Sequence, residues 1–179
     1  MAYDVFLSHA FQDKFLADAV CHRLEQEGVR CWIAPRDITP GKEWSAEIVH
    51  AIRNCQVVVL VYSSATNDSP QVTREMGLTV QEKKALIPVR VEDAEMSEAL
   101  QYYLHAPHWL DAMTEPFDAH LDRLMRAVRG FLDLEGSEGV LDSGTGEEEP
   151  AQEVALPPDQ WRRKRPSFLQ KILDRFQDK

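Results

Sequence analysis

Apolar residues along the first 133 positions alternate between two spacings, and each change of spacing marks a change of element. Residues 3–8, YDVFLS, form an apolar run of strand length. The stretch DKFLADAVCHRLEQEG then sets Phe15, Leu16, Ala19, Val20 and Leu24 at helical intervals until Gly28 closes the helix. VRCWI at 29–33 predicts a second strand, and WSAEIVHAIRNC at 44–55 predicts a helix with Ile48, Ala51, Ile52 and Cys55 on one face. QVVVLVYS at 56–63 has no polar alternation, the mark of a strand covered on both faces and therefore central in a parallel sheet. A helix over 69–84 opens with Ser69 as its cap and Pro70 in its first turn. ALIPVRV at 85–91 predicts a fourth strand, 96–104 a weaker helix, and HWLD at 108–111 a short fifth strand. The last helix, over 117–132, puts Leu121, Leu124, Met125 and Val128 on one face. Five strands alternating with five helices predict an α/β fold with an open, parallel, doubly wound sheet, because parallel strands need crossover helices. Ligands of such folds gather outside the carboxyl ends of the strands where strand order reverses. A site would thus draw on the loops after Ser8, after Ile33 and after Ser63, the last opened by Ser64.

The loop after Ile33 is conspicuous. RCWIAPRDITPGKEW, residues 30–44, holds two prolines, a glycine and two tryptophans where a simple connection needs about 2–6 residues. Long connections on a rigid scaffold tend to bind something.

Beyond position 133 the pattern stops. Residues 134–160 contain eight acids and no Lys or Arg, with no sustained apolar period, and read as a disordered linker. Residues 161–179 carry seven basic residues and two acids, with Phe168, Leu169, Ile172, Leu173 and Phe176 on one helical stripe. This basic amphipathic helix is expected to bind a partner protein or an anionic membrane surface, or to dock on the acidic domain before it. The organisation is therefore a 1–133 domain, a 134–160 linker and a 161–179 helix.

Charge narrows the partners. With 30 acids against 20 Lys plus Arg, the net charge of −10 makes the chain a poor binder of nucleic acid. The N-terminus lacks the basic start of a signal peptide, and no segment reaches the ~18 apolar residues a membrane helix needs, so the expected location is cytoplasmic. Cys21, Cys31 and Cys55 have no ligand spacing and read as buried reduced thiols; no metal site is expected. Of the six histidines, His105 and His108 are the nearest pair and lack a convincing ligand spacing. No Walker loop, GxGxxG, HExxH or GxSxG occurs, so phosphate-cradle, dinucleotide-fingerprint, zinc-protease and serine-hydrolase chemistry lack support.

Glu75 stands out among the acids. It follows the central strand and the polar turn SSATNDSPQVTR, near the carboxyl edge of the sheet. It reads either as a carboxylate of a site or as a solvated first-turn acid favoured by the helix dipole.

Three ordered segments resemble the Toll/interleukin-1 receptor (TIR) domains, particularly those of bacteria. YDVFLSHAFQDK is similar to their first box, RCWIAPRDITPGKEW to their BB loop, and SSATNDSPQVTREM to the segment with the catalytic glutamate of enzymatic members. HWLDA resembles their last strand. The resemblance spans about residues 1–133 and implies a flavodoxin-like fold and, in the enzymatic branch, cleavage of NAD between nicotinamide and ribose. It implies Glu75 as the catalytic residue, with Ala10, Phe11 and Arg36 where such members touch the nucleotide. NAD is then substrate, and no cofactor is implied. Trp32 or Trp44 can offer a flat contact and Arg36 can meet a phosphate; alternatively Trp44 begins a helix and packs in the core. Two departures stand in the sequence: Gln71 lies four positions before the glutamate where some members have an aromatic residue, and Ala10 and Phe11 stand where some members carry basic or polar residues.

The resemblance implies an NAD glycohydrolase, also capable of acting as a cyclase, in antiphage defence or toxic signalling, whose activity rises when other TIR domains join it through the BB loop. The rival is a non-enzymatic scaffold assembling through the same loop.

Overall fold

The unbroken apolar run becomes β3 (Val57–Tyr62), and all six of its residues are buried. The computed structural model describes residues 3–104, 108–114 and 116–136. Around β3 stand β1 (Val5–His9), β2 (Cys31–Ile33), β4 (Ala85–Arg90) and β5 (Leu110–Asp111), in the order β2-β1-β3-β4-β5 with every neighbouring pair parallel. The register sets Leu7 beside Val59 and Val59 beside Ile87. Strand order therefore reverses between β1 and β3, which is where an open sheet of this topology leaves a crevice. Pro88 has no N–H for a ladder and sits one residue before β4 begins to pair with β5 at Val89.

Alternation along the strands divides the core in two. On one face Val5, Leu7, Val57, Val59 and Val61 pack against α1 (Lys14–Gln26) and α6 (Phe117–Gly136). On the other, Phe6, Val58, Leu60 and Tyr62 meet α2 (Trp44–Asn54), α4 (Pro70–Gln81) and α5 (Glu98–Leu104). Phe6 and Trp32 stack within the second face at 5.1 Å between ring centres. The predicted doubly wound α/β architecture is the one observed, with helices on both sheet faces.

Local differences have local causes. A 3₁₀ turn (Phe11–Asp13) precedes α1, and a one-turn helix α3 (Ser64–Asn67) precedes α4; both are too short to leave a periodic signal. Gly28 ends α1 as expected, with φ 83° and the Schellman-type bond from the Val29 N–H to the Leu24 carbonyl. Lys83 takes the same left-handed conformation after α4, φ 53°, without being glycine. Helix α6 runs through Gly136, three residues into the segment read from composition as linker. The remainder of that linker, the 161–179 helix and His105 lie outside the described residues. Among the described residues, no helix is long and apolar enough to cross a membrane.

Leu60 is fully buried in the central strand, so Leu60→Ala is expected to lower unfolding stability by about 2–5 kcal/mol. Phe131→Ala, at a side chain 40% exposed, is expected to stay within roughly 1 kcal/mol. Denaturant titration of the two variants measures both.

Candidate active site

Period-2 alternation puts Ser8 on the same sheet face as Phe6, under α4, near the carboxyl end of β1. From there its Oγ donates a 2.6 Å hydrogen bond to Oε2 of Glu75. The start of α4 fixes where Glu75 lands: Ser69 caps the helix by accepting from the Val72 N–H, and Pro70 opens its first turn. Glu75 falls in the second turn and is 4% exposed, so the solvated first-turn reading is overturned. One turn earlier, Gln71 Nε2 donates to Oε1 at 2.9 Å. One turn later, the Thr79 hydroxyl donates to the Glu75 backbone carbonyl.

Each carboxylate oxygen thus has a neutral donor. Burial pushes the Glu75 carboxyl up to about 7, against the opposing pull of the Ser8 and Gln71 hydrogen bonds and the charge of Arg74. Desolvation wins because neutral donors stabilise the ionised form less than bulk water does. At neutral pH both protonation states are accordingly well populated. A carboxyl in this condition can accept from a hydroxyl, exchange a proton near pH 7, or face a developing positive charge.

The other predicted site residues divide into those at this edge and those engaged elsewhere. Ala10 is fully buried and its carbonyl accepts from the Asp13 N–H. Phe11 follows it and is 86% exposed, an aromatic ring facing solvent beside the β1 terminus. Trp44 begins α2 and is 44% exposed, so it is not the core residue of the alternative reading; Trp32 is, and its stack on Phe6 removes it as a ligand contact. Ser64 opens α3, and both its N–H and hydroxyl donate to Glu92 Oε2. Arg36 turns towards α1, where Nη1 and Nη2 donate to Glu25, while Nε and Nη2 also reach its neighbour Asp37. These acids hold its guanidinium well above the ordinary range.

Reading residue by residue missed three polar groups at the switch point. Ser8 looked like no more than the end of a strand. Ser63 and Asp13, 1% and 2% exposed, join the β3–α3 and β1–α1 turns by a 2.5 Å bond from Ser63 Oγ to Asp13 Oδ2. A polar residue ending an apolar run was the available signal for both serines. Next to them His9 is partly buried, and burial pushes its imidazole below the usual range.

A doubly wound domain with a buried, pKa-raised carboxyl beside its switch point belongs to the class whose ligand sites lie at the carboxyl edge of the sheet. A family model described as the TIR domain matches residues 5–125, and the chain belongs to that family. A curated protein of Brachypodium distachyon, named a probable 2' cyclic ADP-D-ribose synthase, is 34% identical over 89 residues, which is 49% of this chain and 40% of the relative. The chain therefore spans about two-fifths of that relative's length. The TIR domain of a Toll-related receptor from Hydra magnipapillata superposes with a TM-score of 0.61 at 23% identity, over 71% of this chain and 98% of that one. A metazoan TIR-STING receptor from C. gigas gives 0.58 at 27% identity, over 70% and 39% of the two chains.

Two outcomes follow from the Glu75 environment. Ser8→Ala removes a donor that favours the ionised form, so the Glu75 titration midpoint is expected to move above about 7, read by NMR of the labelled carboxyl carbon. Because the folded carboxyl binds its proton more tightly than the ordinary 4.5, its contribution to stability falls as pH rises from about 4.5 to about 7. Glu75→Gln is therefore expected to be more stable than the parent at pH 8, by up to about 3 kcal/mol, and to lose that advantage at pH 4. Denaturation at the two pH values checks the sign.

Proposed function

We propose that this TIR domain cleaves NAD at the nicotinamide–ribose bond, releasing nicotinamide and an ADP-ribosyl product, linear or cyclic, with Glu75 as the catalytic carboxylate. The observation carrying this reading is a buried carboxyl at the carboxyl edge of the sheet whose two oxygens are held by the neutral donors Ser8 and Gln71, where burial pushes its pKa up. The name of the Brachypodium relative supports the same substrate class.

The chemistry requires little more than such a group. Nicotinamide in NAD is already cationic and leaves without protonation. Departure builds oxocarbenium character on the ribose, as in glycoside cleavage. An ionised Glu75 accepts from the ribose hydroxyls and offsets that charge in a site from which water is largely excluded. To do so its carboxylate exchanges the Ser8 or Gln71 bond for one to substrate. Phe11 offers a ring for stacking, Ala10 a close-approach backbone, and Trp44 and Ser64 further contacts at the same edge. Arg36 reaches a phosphate only after leaving Glu25.

Assembly with other TIR domains belongs to the same proposal. The loop of residues 34–43 is pinned at one end by Asp37, which accepts from the Ile33 N–H, and at the other by Thr39 donating to Glu47 of α2. A neighbouring copy that engaged this loop would draw Arg36 from α1 and complete the nucleotide site, which makes clustering the switch. The role is signalling in the cytoplasm, in defence or toxicity. The attachment of Arg36 to Glu25 is the feature that favours a purely scaffolding reading.

Incubating the protein with NAD at high local concentration and resolving nicotinamide, ADP-ribose and cyclic isomers by chromatography tests the proposal. Glu75→Gln is expected to lose at least about 10²–10³-fold in nicotinamide release while remaining folded. The parental rate is expected to climb with pH through about 7 and then level, because the ionised carboxylate is the active form. Nicotinamide release by Glu75→Gln at the parental rate overturns the assignment, and silence of the clustered parent leaves the scaffold reading standing.

A further inference from the structure

On the sheet face opposite Glu75, α1 and β2 bring together three groups that no sequence spacing announces. Cys21 and Glu25 stand one turn apart on α1, and the short return after Gly28 lays Cys31 of β2 against them. Cys21 Sγ, a Glu25 carboxylate oxygen and Cys31 Sγ all lie within 4.8 Å of one another. Both thiols are free and buried, at 2% and 4% exposure, whereas Glu25 is exposed. The cluster is thus closed on its sulfur side and open to solvent on its oxygen side.

We propose that Cys21, Cys31 and Glu25 form a binding site for a thiophilic divalent cation of the zinc class. Two sulfurs with one carboxylate suit a borderline-soft ion and exclude Mg²⁺ and Ca²⁺, which take oxygen ligands. Zinc binds sulfur at ~2.3 Å and carboxylate oxygen at ~2.0–2.2 Å, which spaces tetrahedral ligands at roughly 3.5–3.8 Å. The three atoms lie no more than 4.8 Å apart, so closing on an ion asks for a movement on the order of an ångström at most. Water takes the fourth position through the open side. Two thiol protons leave to solvent on binding, so two thiolates, one carboxylate and a dication sum to −1.

The structure also contains the competitor for this ion. Arg36 donates from Nη1 to Glu25 Oε2 at 3.1 Å and from Nη2 to Oε1 at 2.8 Å, and Nη2 reaches the Cys31 carbonyl at 3.2 Å. Its guanidinium therefore lies beside the cluster and occupies the oxygens a metal needs. Occupancy takes Glu25 from Arg36 and frees the guanidinium, leaving it anchored to Asp37 at the base of the 34–43 loop. The cation site is thereby coupled to that loop without touching Glu75.

The test needs no catalysis. Cd²⁺ titrated into the reduced full chain is expected to give a sulfur-to-metal charge-transfer band saturating at one equivalent, and Zn²⁺ is expected to displace it. Cys21→Ser and Cys31→Ser are expected to abolish the band, and Cys55→Ser, on the other sheet face, to keep it. Glu25→Gln, at an exposed position, is expected to weaken Zn²⁺ at least tenfold, and Arg36→Gln to tighten it several-fold by removing the competitor. Circular dichroism establishes that each variant is folded; if either serine variant is not, Glu25→Gln and Arg36→Gln decide the matter. Absence of the band in the reduced parent, its survival in a folded Cys21→Ser or Cys31→Ser chain, or parental affinity in Glu25→Gln and Arg36→Gln overturns the proposal.

Discussion

Two-sided burial of β3 is the constraint from which the rest of the structure follows. Six consecutive residues with every side chain covered need a strand on each edge and a helical layer on each face. Parallel neighbours satisfy this only through crossover helices, so the chain must wind to one side of β3 through β1 and β2 and to the other through β4 and β5. The reversal between β1 and β3 is a consequence of that winding. Ser8, the penultimate residue of β1, and Ser63, the first residue after β3, are thereby brought to one crevice from positions 55 residues apart in sequence.

The same burial that stabilises the sheet destabilises the charge on Glu75. A carboxyl at 4% exposure beside Ser8 and Gln71 has two donors for its oxygens but little of the solvation that favours ionisation. The fold holds this group in place through the α4 cap and the packing of Val72 and Met76 on either side of it. A residue kept at a cost in stability, in a helix otherwise docked by apolar contacts, is the pattern expected of a site rather than of a core. Gln71, where an aromatic residue stands in some TIR domains, tunes this carboxyl directly by donating to it.

Arg36 links the two faces of the molecule. Its loop leaves the end of β2 and returns to α2 on the Glu75 side, yet its guanidinium reaches back to Glu25 of α1 on the cysteine side. Glu25 and Asp37 both hold this one guanidinium, so whatever draws Glu25 away on one face, or Arg36 away on the other, would be felt in the loop between them.

The sequence by itself determined the architecture, because strand and helix periods, the Gly28 stop and the Ser69–Pro70 start are local signals that this fold obeys. The apolar run at 56–63 identified the central strand, and with it the edge at which Glu75 would lie. It did not decide exposure: Glu75 read as a solvated acid or as a site carboxylate, and Trp44 as a flat contact or as a core residue, since the pattern around each is compatible with either. Tertiary structure settled both, burying Glu75 under Ser8 and leaving Trp44 44% exposed. It also turned Arg36 towards α1 and gathered Cys21, Glu25 and Cys31, whose separations in sequence match no ligand motif. The physical reason is common to these cases: periodicity reports which face of one element is apolar, whereas hydrogen-bond partners and charge solvation depend on which other element arrives against that face.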